Sequence, residues 1–168
     1  MIKQIKTISL VLILLTATFM SLTILDNNAI AATENSSAGY VNTSYSSLNV
    51  RASASSSSAI INSLAKGSYV TLIEKTGNWW KVEYAPKIYG YVYSGFIKEI
   101  TGTSTASVKL NWGYLNVRWG PGTNYWVRSK LYNGQTVVVL SSSNGWSNIL
   151  YNGTLTGYAS SSYLNINR

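Results

Sequence analysis

Cysteine and histidine are both absent from the 168 residues. Without cysteine there is no disulfide framework, no thiol nucleophile and no site for a lipid anchor. Without histidine the usual general base near neutral pH and the commonest metal ligand are missing, and with them every zinc site built on His or Cys. Acidic residues are scarce too, 5 Asp plus Glu against 13 Lys plus Arg. Asp26 falls in the N-terminal leader, which leaves Glu34, Glu74, Glu83 and Glu99. A paired-carboxylate glycosidase needs two carboxylates flanking a cleft, and these four scatter over a tail, a hairpin, a strand face and a module end. No catalytic residue, cofactor or metal site is expected, and the chain reads as non-enzymatic.

The leader is what the sequence offers first. Lys3 and Lys6 precede an apolar run from Ile8 to Met20, and small residues close it at Ala29-Ile30-Ala31. A positive start, an apolar middle and a small-residue end read as a secretory signal over residues 1–31, cut after Ala31. The alternative is a retained anchor, because the apolar stretch continues to Leu25 and approaches the roughly 18–20 residues that span a bilayer. Either way the remainder is exported, secreted or held at the wall. No stable membrane insertion is expected after cleavage. From Ser107 onward there is no acidic residue, only Lys109, Arg118, Arg128, Lys130 and Arg168. A basic exported surface favours anionic extracellular polymers, not nucleic acid.

The strongest signal is internal repetition. Leu48-Asn49-Val50-Arg51 recurs as Leu115-Asn116-Val117-Arg118, an offset of 115 − 48 = 67. Without gaps, the same offset carries Val41 onto Val108, Leu64 onto Leu131, Gly67 onto Gly134, Trp79 onto Trp146 and Gly90-Tyr91 onto Gly157-Tyr158. Glu74, Glu83 and Glu99 fall on Ser141, Leu150 and Ile166, so no carboxylate repeats. The chain divides into a tail at 32–39, a module at 40–100, a small polar linker at 101–107 and a second module at 108–168. Within each module the periodicity is two, with β-branched runs and Asn-Gly turns at 133–134, 144–145 and 152–153. Short strands with such turns predict small all-β barrels or sandwiches. Single helical turns are allowed at Ser56–Ile60 and Asn124–Val127. Trp80, Tyr84, Tyr91, Phe96, Tyr151, Tyr158 and Tyr163 are expected in the core or its rim.

Together these motifs resemble the bacterial SH3 family: Leu-Asn-Val-Arg, the Gly120-Pro121-Gly122 turn, Leu-x-x-Gly, Asn144-Gly145-Trp146 and the closing Gly157-Tyr158-Ala159-Ser160-Ser161-Ser162-Tyr163-Leu164. The first copy departs from it at Ala52-Ser53-Ala54-Ser55 and at Pro86-Lys87. The resemblance implies two tandem SH3-like small β-barrels and a role in attaching exported proteins to peptidoglycan.

Recognition is therefore sought among the aromatics. Alternation along the strand from Trp79 sets Trp79, Lys81 and Glu83 on the wetter face, and Trp146 repeats the position. The second copy adds Trp112, Tyr114, Trp119, Tyr125 and Trp126 where the first has Tyr45, Ser47, Ala52, Ser58 and Ala59. Positions that accept Ser or Ala in one copy are not demanded by the fold. With Arg128 and Lys130 nearby, they and Tyr45 form the expected ligand surface. Arg51 and Arg118 are expected to bond a carbonyl or turn locally. The leading expectation is a monomer that binds peptidoglycan. The alternatives are an electrostatic binder of teichoic acid or host glycosaminoglycan, and a module gripping an extracellular protein ligand.

Overall fold

The computed structural model describes residues 36–166, so the leader and its cleavage site lie outside the described residues. The chain forms two seven-stranded antiparallel sheets. The first comprises β1 (Ser37–Val41), β2 (Ser47–Arg51), β3 (Ile60–Ala65), β4 (Tyr69–Thr76), β5 (Trp79–Ala85), β6 (Ile88–Tyr93) and β7 (Ile97–Ile100). The second comprises β8 (Ser104–Val108), β9 (Leu115–Arg118), β10 (Val127–Leu131), β11 (Thr136–Ser143), β12 (Trp146–Tyr151), β13 (Leu155–Ser160) and β14 (Leu164–Ile166). Spatial order is β3-β2-β6-β5-β4-β1-β7 in one and β10-β9-β13-β12-β11-β8-β14 in the other. Each second-sheet strand takes the place of its counterpart seven strands earlier, so the duplicated sequence gives a duplicated topology.

The duplication extends to irregularities. β4 bulges against β5 between Leu72 and Glu74, and β11 bulges against β12 between Val139 and Ser141. A bulge bends the strand and raises its twist, which lets so short a sheet curl around a core. The cores match as well: Leu48, Val50, Leu64, Val70, Leu72 and Val82 in one, Leu115, Val117, Leu131, Val137, Val139 and Ile149 in the other. The repeated glycine has a steric reason. A Cβ on Gly90 would lie 2.4 Å from Val50 Cγ1, and one on Gly157 2.6 Å from Val117 Cγ1. Two of the three Asn-Gly turns carry positive φ at both residues, 51° and 78° at Asn144-Gly145, 50° and 84° at Asn152-Gly153, whereas at Asn133-Gly134 the glycine alone does, at 81°.

Four expectations change. The helical turns foreseen at Ser56–Ile60 and Asn124–Val127 are turns and bends that run into β3 and β10. In the first loop Ser58 N–H donates to Ser55 O at 3.2 Å, a single turn, and Ser53 N–H donates to Ser58 Oγ at 2.9 Å, so a Ser side chain closes the loop in place of further helical bonds. The single helical turns stand instead at Ser94–Phe96 and Ser161–Tyr163. β1 begins within the stretch read as tail, and β8 within the stretch read as linker. Residues 104–107 are small because Thr105 and Ala106 are buried, not because they are free. Finally, Tyr151 is fully buried as foreseen, while Tyr163 is 47% exposed and belongs to the surface.

The modules pack on one another within one compact unit. A third apolar cluster joins Ala38 and Ile100 to Val138, Leu140 and Leu150. The β12–β13 turn reaches β4, where Thr71 donates to Gly153 O from its N–H at 2.8 Å and from Oγ1 at 3.1 Å. Thr105 Oγ1 donates to Ser36 O at 2.8 Å.

Candidate functional site: twin aromatic grooves

Each module carries a groove at the same place. In the first, Tyr45 on the approach to β2, Ser47, Asn49 and Arg51 on β2, and Trp79 at the start of β5 enclose about 550 Å³. Tyr93 at the end of β6 and Phe96 complete it, with Trp79 and Tyr93 edge to face at 5.8 Å. In the second, Trp112, Tyr114, Asn116, Arg118, Trp146 and Tyr163 enclose about 830 Å³. Ten of the lining positions are related by the 67-residue offset: 43 and 110, 45 and 112, 47 and 114, 48 and 115, 49 and 116, 51 and 118, 56 and 123, 79 and 146, 93 and 160, 96 and 163.

Local sequence explains the placement. Alternation on β2 and β9 turns Leu48, Val50, Leu115 and Val117 inward, so Asn49, Arg51, Asn116 and Arg118 point away from the core. Trp79 and Trp146 follow Gly77-Asn78 and Asn144-Gly145 turns and are half-buried. The grooves differ in that Ser160 replaces Tyr93, so that Trp146 lacks the edge-to-face ring that meets Trp79, and in that Trp112 and Tyr114 replace Tyr45 and Ser47. Trp112 is 87% exposed.

The structure sorts the expected ligand residues into two groups. Tyr45 and Trp79 meet in the first groove; Trp112, Tyr114 and Trp146 meet in the second. Lys130 belongs beside the latter, its Nζ 3.9 Å from the Tyr114 ring centre, with Tyr132 edge-on to the same ring. Trp119, Tyr125, Trp126 and Arg128 line neither groove. Trp119, Tyr125 and Trp126 build the loop between β9 and β10, and Arg128 stands on β10 beside it. Trp119 N–H donates to Trp126 O at 3.1 Å, and the Tyr125 ring covers Gly120 so closely that a Cβ there would fall 2.4 Å from it. The Arg128 guanidinium stacks 4.1 Å from the Trp119 ring centre while Nη1 donates to Thr156 O. Trp126 is 86% exposed.

Arg51 and Arg118 do bond loop carbonyls, Nη1 donating to Ser58 O at 2.6 Å and to Tyr125 O at 2.7 Å. They also line the grooves. Asn49, Asn116, Phe96 and Tyr163 line them too, and the sequence marked none of these four as a ligand position. The available signal was the offset itself, which pairs Phe96 with Tyr163 next to the repeated Trp. No Asp or Glu lines either groove. Among the described residues no cluster of three His, Cys, Asp or Glu could hold a metal ion. No described helix is long and apolar enough to cross a membrane.

The model of the bacterial SH3 domain matches residues 46–98 and 113–165. Bacteriocin BCN5 of Clostridium perfringens is 39% identical over 79 residues, covering 45% of this chain and 8% of its own. A Bacillus subtilis protein assigned as N-acetylmuramoyl-L-alanine amidase YrvJ is 29% identical over 131 residues, 70% of this chain and 25% of its own. A Listeria innocua protein assigned as endopeptidase p60 is 31% identical over 101 residues, 60% and 21% respectively. The chain thus spans a quarter or less of the length of these relatives. Among solved structures, NlpC2 from Trichomonas vaginalis aligns at 18% identity and a TM-score of 0.37, over 79% of this chain and 48% of its own.

Proposed function

The chain belongs to the bacterial SH3 domain family, and from that premise we propose that it is an exported, non-catalytic protein that binds bacterial cell wall, specifically peptidoglycan, through its two aromatic grooves. The observation that carries the reading is the twin groove, a Trp wall beside polar Asn and Arg at the same place in both modules, with no carboxylate lining it. Flat aromatic surface with a few polar groups suits sugar rings or short peptides, and recognition placed on loops of a rigid barrel suits a binding module. Relatives named for a muramoyl-alanine amidase and an endopeptidase support a wall setting. No Asp or Glu lines either groove, and in this reading hydrolysis is left to other proteins. Two weak sites on one body gain affinity by acting at high mutual concentration. The exposed Trp119–Trp126 loop is a further contact to the same polymer. Purified protein is expected to sediment with insoluble Gram-positive wall, and replacing Trp112 and Trp146 by Ala to weaken it.

An electrostatic reading, binding teichoic acid through the basic second module, has one observation in its favour: no acidic residue after Glu99. It differs in outcome, because binding would then vanish when teichoic acid is stripped and would fall steeply with salt.

A further inference from the structure

The two groove arginines do more than tie down a loop. Each donates one hydrogen bond, from Nη1 to Ser58 O or Tyr125 O, while a guanidinium carries five N–H donors in a planar fork. Both side chains are half-buried, and neither has a carboxylate partner: the ion pair of the described residues is Lys75 with Glu99, both exposed and outside the grooves. A partly desolvated cation with unused donors is costly until an anion pairs with it. In the first groove Arg51 is the only charged residue of the lining. The carbonyl bond anchors each guanidinium in a lining that it shares with an Asn amide and a Trp ring.

We infer that Arg51 and Arg118 are the anion-reading element of the grooves, each taking a carboxylate of a bound peptide, with the Trp wall packing on the residue that bears it. The inference rests on the wall-binding reading and names the chemical group recognised. A carboxylate at a chain end or on a side chain can approach the remaining edge of the fork with two oxygens. A polymer phosphodiester is flanked by chain on both sides and spreads its charge along a row. A single cation in the lining of the first groove matches the former.

The test is an NMR titration of the purified protein, following the indole N–H signals of Trp79 and Trp146. The probes are N-acetyl-alanyl-alanine, its C-terminal amide and dimethyl phosphate. The acid is expected to bind roughly tenfold more tightly than the amide, the scale of one charge-assisted hydrogen bond, and more tightly than the phosphate. Arg118→Gln should abolish the acid preference at Trp146 and leave it at Trp79; Arg51→Gln should do the reverse. Equal binding of acid and amide, tighter binding of dimethyl phosphate, or an acid preference that survives in the double variant would each overturn the inference. Should Arg118→Gln loosen its loop, the acid–amide comparison on the unaltered protein still decides. Sedimentation with intact wall is run in parallel. Wall binding without an acid preference sinks the carboxylate assignment alone, whereas no wall binding sinks the functional reading beneath it.

Discussion

Replacing Gly153 by Ala tests the packing of the two modules on each other. Gly153 sits at a φ of +84°, where an L-residue costs roughly 1–2 kcal/mol. Its Cβ would also lie 2.8 Å from Ala85 N, Glu83 O and Tyr84 C, all backbone atoms of the first module. Two routes relieve the clash. If the modules stay docked, overpacking costs about 1–3 kcal/mol. If they separate, both Thr71 hydrogen bonds are lost, at about 1 kcal/mol each. Separation also exposes Val138 and Leu150, at about 1.5–3 kcal/mol each. Staying docked is cheaper, so the expected loss is about 2–5 kcal/mol. Gly145→Ala is the matched control, since Gly145 has a φ of +78° in the same Asn-Gly turn but nothing within 4 Å of its would-be Cβ. Its loss should be the conformational part alone. Urea unfolding followed by Trp fluorescence gives both numbers, and their difference of about 1–3 kcal/mol is the steric cost at the module contact. Equal losses in the two variants would refute the docking described above.

Further outcomes follow from other contacts. Gly157→Ala should destabilise by about 1–3 kcal/mol, because its Cβ would fall 2.6 Å from Val117 Cγ1 and 3.0 Å from Arg118 O; calorimetry checks it. Leu150→Ala should cost about 2–5 kcal/mol as a fully buried contact residue, whereas Glu83→Ala, at the equivalent position of the first module, should cost far less, and urea unfolding of both separates them. Ser147→Ala breaks hydrogen bonds to Ser142 Oγ and Ser161 Oγ, both at 2.8 Å, and should cost about 1–2 kcal/mol by the same assay. Arg128→Ala removes the stack on Trp119 and should alter the Trp119 indole environment, seen as a shifted emission maximum.

The repeat made the fold legible. One offset aligned both cores, both bulged hairpins and both Gly-Tyr strands, because a duplicated steric need selects the same residue twice, as at Gly90 and Gly157. The grooves were half legible. Trp79 stood out because alternation put it with charged neighbours, Trp146 because the offset repeats it, Tyr114 because the other copy has Ser47 there, and Trp112 because it joins that set with Tyr45 as its counterpart. Phe96 packs on the core as foreseen and also lines the groove, whereas Tyr163, set in the core or its rim, is exposed because a periodicity of two cannot show that a short helical turn carries an aromatic back to the surface. The module contact was missed although its signal was present. Glu83 becomes Leu150 and Thr71 becomes Val138 across the offset, which removes polarity from an outward-facing strand surface. That change is expected where a second body covers the surface, and the body in question is the preceding module.

The central claim is that paired Trp-walled grooves hold wall polymer, and quantitative sedimentation tests it most directly. Protein is mixed with purified wall freed of teichoic acid, and the bound fraction is measured against wall concentration for the unaltered chain and for Trp112→Ala/Trp146→Ala. The account predicts saturable binding that weakens by about thirtyfold or more in the variant, the scale of one buried aromatic anchor. Protein left in the supernatant at moderate salt, or a variant that binds as well as its parent, would contradict it.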